Sequence, residues 1–246
     1  MFFDRGPSLT ELAVQALSSV EHGYDLLAPK FDATPFRTPG PFLDAVVSAV
    51  RPLGPFRTGL DVCCGTGAGV RALRRVCEER VTGLDFSPGM LAQARRAFAG
   101  VPSDSGGAPD VEWVRADARA LPFDEVFDLA TSFGAFGHFL PTERPAVFAG
   151  VHAALRPGGL FVFPLPAPAR VGSLPYWAMW GFDAAMRVRN AVWRPPFVMY
   201  YRTFGLPDAL RELADAGFSV RLRAAESFGR RADGAPRCLT VLARKA

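Results

Sequence analysis

The sequence holds few of the residues that build metal sites or disulfide frameworks. Only four cysteines and three histidines occur in 246 residues. The cysteines are Cys63, Cys64, Cys77 and Cys238, and no two stand as C-x-x-C. That spacing supports neither a zinc site nor a disulfide scaffold, and reduced, packed thiols fit better. No metal is expected. Long apolar runs are also missing: Leu160 to Leu165 falls far short of the ~20 residues that span a bilayer. Met1-Phe2-Phe3-Asp4-Arg5-Gly6-Pro7 reaches a charge and a proline too early for a secretory leader. These absences lead to the expectation of a soluble, cytoplasmic protein. Positive charge is not concentrated either. The formal net charge is +4, but arginine is spread along the chain, with mild clusters at Arg71/Arg74/Arg75 and Arg221/Arg223/Arg230/Arg231. A nucleic-acid partner would call for a denser basic stripe, so none is expected.

What is present is an ordinary globular composition, 49% hydrophobic and 21% charged, in a chain long enough to bury one sizeable core. Ser8-Leu9-Thr10-Glu11 is a capping-box pattern that opens a helix over Leu9–Glu21. A breaker-rich stretch follows, and then a helix over Phe42–Val50. From Thr58 strand-like and helix-like runs alternate. The strands are Gly59–Cys63, Val81–Asp85, Val111–Arg115, Phe127–Ser132 and Gly159–Pro164. The helices are Ala68–Glu78, Pro88–Ala99 and Glu143–Leu155. Ser103 to Pro109 reads as a polar loop. Such alternation predicts a parallel, doubly wound α/β sheet covered by helices on both faces. A last helix, Pro207–Ala216, precedes two strands, Ser219–Ala224 and Cys238–Ala243, that can pair as an antiparallel hairpin. The whole reads as one domain with four regions: an N-terminal helical cap at 1–57, a core at 58–165, an aromatic helical insertion at 166–206, and a C-terminal helix and hairpin at 207–246.

The most informative stretch is Leu60-Asp61-Val62-Cys63-Cys64-Gly65-Thr66-Gly67-Ala68-Gly69. A strand, a glycine-rich turn and a helix start in that order let a small polar ligand lie against bare backbone. A dinucleotide fold requires G-x-G-x-x-G, whose third glycine brings helix and strand together. Here Val70 holds that place, which argues against a nicotinamide or flavin cofactor. No G-K-[ST] follows, so a phosphate loop is excluded.

The stretch resembles motif I of the class I S-adenosylmethionine-dependent methyltransferases. Further motifs of that family follow in order. Gly83-Leu84-Asp85-Phe86-Ser87-Pro88-Gly89-Met90-Leu91 looks like its second-strand motif, and Arg115-Ala116-Asp117-Ala118-Arg119-Ala120-Leu121-Pro122-Phe123 like its third. Phe127-Asp128-Leu129-Ala130-Thr131-Ser132 resembles the fourth, and Leu155-Arg156-Pro157-Gly158-Gly159-Leu160 the turn into the fifth. Asp-x-Cys-Cys-Gly-Thr-Gly is closest to the form found in menaquinone/ubiquinone-biosynthesis C-methyltransferases, although the characteristic C-terminal region of those enzymes is not seen here. The resemblance implies a Rossmann-like fold and S-adenosyl-L-methionine as cofactor. Carried onto matching positions, it implies that Gly65 and Gly67 give the methionine part access to the backbone, that Asp61 serves the amino group, and that Asp85 accepts from the ribose hydroxyls. Asp117 and the Ala118 amide would meet the adenine, with Phe86 and Met90 flanking it and Ser132 at the fourth strand end. Asp128 is read as structural.

The sulfonium of such a cofactor already activates the methyl group, so the protein's task is to align a nucleophile and, for a hydroxyl or carbon acid, to take a proton. His138, in Ser132-Phe133-Gly134-Ala135-Phe136-Gly137-His138-Phe139 after the fourth strand, is the best candidate base; Tyr24, Tyr200 and Tyr201 are alternatives. The insertion holds Trp177, Trp180 and Trp193, with Trp177, Trp180, Ala184, Val188 and Ala191 at helical spacing. It follows the fifth strand, on the edge where ligands bind in open α/β sheets, and reads as an acceptor-side lid over a small apolar or aromatic molecule. A plain hydrophobic cap or dimer face, and a transient membrane-surface contact through tryptophans beside Arg187, Arg189 and Arg194, remain open beside it. No [N/D]-P-P-[Y/F] signature follows the fourth strand, which disfavours a nucleic-acid substrate. A non-catalytic protein that keeps the pocket as a sensor or scaffold is the alternative function.

Overall fold

The computed structural model describes residues 6–99, 108–193, 196–200 and 205–246. Among these, seven strands join one sheet: β1 (Phe56–Val62), β2 (Cys77–Asp85), β3 (Asp110–Arg115), β4 (Phe127–Thr131), β5 (Leu155–Pro166), β6 (Phe218–Ala224) and β7 (Cys238–Lys245). Their order across the sheet is β3-β2-β1-β4-β5-β7-β6. The first five are parallel, and β7 runs antiparallel between β5 and β6. The expected α/β class and the C-terminal hairpin are both present. The chain winds outward from β1 to β3, then returns to place β4 on the other side of β1. A crevice at the carboxyl ends of β1 and β4 follows from that reversal.

Eight helices accompany the sheet among the described residues: α1 (Leu9–Leu17), α2 (Val20–Leu27), α3 (Gly40–Val50), α4 (Ala68–Leu73), α5 (Pro88–Phe98), α6 (Arg144–Ala154), α7 (Leu174–Val192) and α8 (Leu206–Asp215). One core face gathers Leu60, Leu84, Phe127, Phe148, Phe161, Phe163 and Leu213 beneath α6 and α8. The other gathers Val50, Val70, Leu73, Val81, Leu91, Leu129 and Val162 beneath α3, α4 and α5. Burial on both faces is why the central strands read as continuous apolar runs. Asp128 is a structural acid. It accepts from the Arg57 and Thr58 amides at 2.8 and 2.9 Å and from Arg156 at 2.9 Å, which ties β4 to the start of β1.

Three expectations need correction. The single helix over Leu9–Glu21 is two helices. The chain turns at Ser18, and the Ser19 hydroxyl caps α2 by accepting from the His22 amide. The helix expected over Ala68–Glu78 stops at Leu73, and Cys77 already belongs to β2. Cys77 packs against Gly59, where a Cβ would come within 2.7 Å of its sulfur. The helical row Trp177, Trp180 and Val188, expected on a lid over the acceptor, faces solvent instead; on α7 the buried residues are Asp183 and Met186. The loop read over Ser103–Pro109 lies outside the described residues up to 107, as do Arg194 and Tyr201.

The valine at position 70 also has a physical account. In a dinucleotide fold the helix carries the small residue. Here β2 supplies it, because a Cβ on Gly83 would lie 2.9 Å from Val70 Cγ2 and 2.6 Å from the Trp113 ring. We expect Gly83→Ala to destabilise the chain by about 1–3 kcal/mol through overpacking, read as a lower urea midpoint with an unchanged slope.

Candidate functional site

The turn after β1 is built on residues in unusual conformations. Cys63, Gly65 and Gly67 all have positive φ, at 59°, 52° and 89°. Gly65 is open to the crevice: a Cβ there would meet nothing within 4 Å. Gly69 is needed for a different reason. A Cβ on it would come within 2.6 Å of the Asp61 carboxyl carbon, so only glycine leaves room for that side chain. Asp61 is buried, accepts from the Thr131 hydroxyl at 3.1 Å and is in reach of the Val70 amide. Burial pushes its pKa up to about 8, helped by the nearby charge of Asp85.

Asp85 ends β2 and is also buried. One carboxyl oxygen accepts from the Gly65 amide at 2.8 Å, and the other from the Ser87 amide at 2.9 Å. The Phe86 amide is also in reach of the carboxylate, which still has acceptor capacity for an incoming donor. Burial raises its pKa to about 6 against the pull of those amides. The N-terminal cap closes over this arrangement. On α2, Asp25 accepts from the Ser87 hydroxyl and, at 2.9 Å, from the Gly89 amide. Gly89 admits it, since a Cβ there would press on the Asp25 backbone at 2.9 Å. Asp32 accepts from the Thr66 hydroxyl at 2.7 Å.

Asp117 lies at the far side, where Arg119 donates to both its oxygens and also pairs with Glu143. The guanidinium holds the Asp117 carboxyl below its ordinary range. His138 is half-buried between α2 and residues 196–200. Its Nδ1 lies 2.9 Å from the Val198 carbonyl and its Nε2 2.8 Å from the Tyr24 hydroxyl. A carbonyl only accepts, so Nδ1 carries the proton and Nε2 accepts from Tyr24. Burial lowers the pKa of His138 and keeps the ring neutral.

These elements enclose a cleft of about 790 Å³. Asp61, Gly65, Asp85, Phe86, Met90, Asp117, Ala118 and His138 all line it, with Tyr24 beside them. Residues 60–159 match the model of a family described as a methyltransferase domain. A demethylmenaquinone methyltransferase of Thermus thermophilus is 34% identical over 174 residues, covering 66% of this chain and 74% of the relative. The chain belongs to the class I S-adenosylmethionine-dependent methyltransferases. A ubiquinone/menaquinone biosynthesis C-methyltransferase of Desulfotalea psychrophila is 31% identical over 160 residues, covering 63% of this chain and 52% of that one. The chain spans about half the length of several curated relatives it matches. In fold it is similar to the magnesium protoporphyrin IX methyltransferase of Synechocystis with bound S-adenosylhomocysteine. The TM-score there is 0.55 and the identity 19%, over 83% of this chain and 82% of the other.

Two expected site residues stand elsewhere. Gly67 is not on the cleft wall. It caps α4 in a left-handed conformation, and a Cβ would strike Trp113 and Phe98. Ser132 is buried behind the wall, donating to the Val62 carbonyl at 3.0 Å. Of the described part of 166–206, Pro196 and Val198 reach the cleft, and no residue of α7 does. Tyr200 is not on the wall; its hydroxyl lies 3.3 Å from the Asn190 amide nitrogen. Sequence reading missed Asp25, Asp32, Arg119 and the role of Gly69. Only the last had a local signal, a third glycine following a strand-end acid.

An acid whose folded pKa exceeds its unfolded value binds more protons when folded, so stability falls as pH rises between the two. Asp85 and Asp61 are both of this kind, with values of about 6 and about 8 against an ordinary 3.8. We expect the ligand-free chain to lose stability from about pH 4 to about pH 8. Asp61→Asn should flatten the part of that fall between about 6 and 8. Thermal midpoints measured across the range check this.

Proposed function

We propose that this chain transfers a methyl group from S-adenosylmethionine to a carbon of a small, apolar, quinone-type ring. The observation that carries the cofactor half is the Asp85 carboxylate, fixed by the Gly65 and Ser87 amides beside the buried Asp61. The residues fit the group. Asp61, short of donors for a buried carboxylate, would hold the amino group. The remaining acceptor capacity of the Asp85 carboxylate would take the ribose hydroxyls. Phe86 and Met90 offer apolar surface to the adenine, and Ala118 a backbone amide. Asp117 would serve the adenine amino group from within its pair with Arg119. When bound, the cofactor supplies a methyl group activated by its sulfonium.

The acceptor half rests on the cleft and on the relatives. Both relatives are named for quinone-type methylation, and Phe31, Phe36, Phe133 and Phe139 line the remaining wall. A ring carbon becomes nucleophilic when a neighbouring ring hydroxyl gives up its proton. Tyr24 and His138 are arranged to take it. The Tyr24 oxygen accepts the acceptor's proton while passing its own to His138 Nε2, and the Val198 carbonyl stabilises the imidazolium through Nδ1–H. The ring then regains aromaticity: the methylated carbon gives its proton to water, and the ring oxygen takes back a proton from the Tyr24–His138 pair, which returns to its starting state. Helix α2 forms part of the cleft wall through Val20, Glu21 and Tyr24, which limits water around these hydrogen bonds and strengthens them.

Calorimetry tests the cofactor. Both S-adenosylmethionine and S-adenosylhomocysteine should bind and NAD should not, and Asp85→Ala should weaken binding by about 1–3 kcal/mol. Radiolabelled methyl transfer to a demethylated naphthoquinol tests the chemistry. Tyr24→Phe and His138→Ala should each slow turnover by about 10²–10⁴-fold with cofactor affinity unchanged. The wild-type rate should fall on acidification, as His138 charges. Full turnover in His138→Ala would remove it as the proton acceptor. Cofactor binding with no transfer to any quinol would favour a sensor or scaffold.

A further inference from the structure

Helix α7 is held to the body along one side. Asp183 and Met186 are buried. Asn190 bonds both the amide and the carbonyl of Phe197 at 3.0 Å, and Arg189 donates to the Ser18 carbonyl at 3.2 Å. The opposite side therefore points outward in a fixed orientation. Leu174, Trp177, Gly181, Val188 and Val192 follow one another along it at helical spacing. Leu174 is 84% exposed, Val192 80%, Val188 66% and Trp177 55%. Trp180 and Trp193 are exposed beside this row. Water-facing apolar groups of this size on one helix face mark an interaction surface.

The charges around the row identify what it fits. No exposed residue of α7 is acidic, and Arg187 is exposed with its guanidinium 4.7 Å over the Tyr200 ring. The amide of Ala167 donates to the Arg237 carbonyl at 2.9 Å, which sets the β6–β7 loop beside the segment leading into α7. That segment and loop carry Arg170, Arg230, Arg231 and Arg237 against Glu226 and Asp233, and Glu226 is paired with Arg230. An excess of arginine beside an aromatic-aliphatic row complements an anionic bilayer. Tryptophan and aliphatic side chains enter the acyl boundary while guanidinium groups meet phosphate. A second copy of the chain fits less well, because a two-fold contact through this face would bring two sets of arginines around one apolar patch.

We propose that the outward face of α7 docks the chain on anionic lipid bilayers as an interfacial helix, with Trp177 and Trp180 at the acyl boundary. No helix among the described residues is long and apolar enough to cross a membrane, so the contact is peripheral. It delivers the cleft to the surface where an apolar acceptor dissolves, but docking itself does not depend on the methyl-transfer reading.

The test uses the full chain with two kinds of vesicle: phosphatidylcholine alone, and phosphatidylcholine with phosphatidylglycerol in equal amounts. Co-sedimentation should occur with the anionic vesicles and weaken with added salt. Tryptophan emission should shift to the blue and be quenched by brominated acyl chains. The variant Trp177→Ser/Trp180→Ser/Val188→Ser should partition about tenfold less or weaker still. Its affinity for S-adenosylhomocysteine should match the wild type, which shows that it is folded. Failure of the wild type to sediment with anionic vesicles would overturn the proposal. So would undiminished binding by the triple variant, or a concentration-dependent dimer that hides these tryptophans and leaves vesicles unbound. Loss of cofactor binding in the wild type would instead count against the proposed function and leave the vesicle result to be read alone.

Discussion

A carboxylate taken out of water must find hydrogen-bond donors, and the site is organised around two that are buried side by side. Asp61 and Asp85 end neighbouring parallel strands, so the sheet alone brings them together. The backbone of the glycine turn then supplies the donor that Asp85 needs, through Gly65. This bond fixes the turn over the strand ends. The positive φ angles at Cys63, Gly65 and Gly67 are the conformational cost of that path. Gly69 leaves the space in which Asp61 sits. Burial without full compensation leaves both acids with raised pKa values. A ligand that brought hydroxyls and an ammonium would relieve that condition, and the proposed cofactor carries both.

The N-terminal cap belongs to this network rather than lying over it. Asp25 on α2 reaches the start of α5 through Ser87 and Gly89, and Asp32 reaches Thr66 in the turn. Tyr24, one residue before Asp25, is thereby held against His138. The hydrogen bonds that seat the cap therefore also set the proposed proton acceptor. Shifts of the cap and changes in proton transfer are expected to occur together.

Much of the fold was legible in the sequence because parallel strands buried on both faces leave long apolar runs, and the turns between them carry glycine, proline and capping residues. The strand-end acids were legible for the same reason. What was not legible depends on partners distant in the chain. Asp25 and Asp32 are ordinary acids in a breaker-rich stretch until folding sets them against residues 62 and 34 positions away. The early end of α4 reflects Cys77 packing under Gly59, a contact between β2 and β1 that no local pattern records. Helical spacing over Trp177, Trp180 and Val188 identified a helix and an apolar face correctly, but periodicity does not state which side meets the core. Gly67 and Ser132 carried motif positions while serving packing behind the wall.

The central claim is that Asp85 and Asp61 define the ligand position. The most direct measurement is a crystal structure of the full chain with S-adenosylhomocysteine. The account predicts both ribose hydroxyls on the Asp85 carboxylate and the amino group beside Asp61, with Gly65 against the ligand. A ligand seated in the cleft without contact to Asp85, or bound away from the glycine turn, would contradict it.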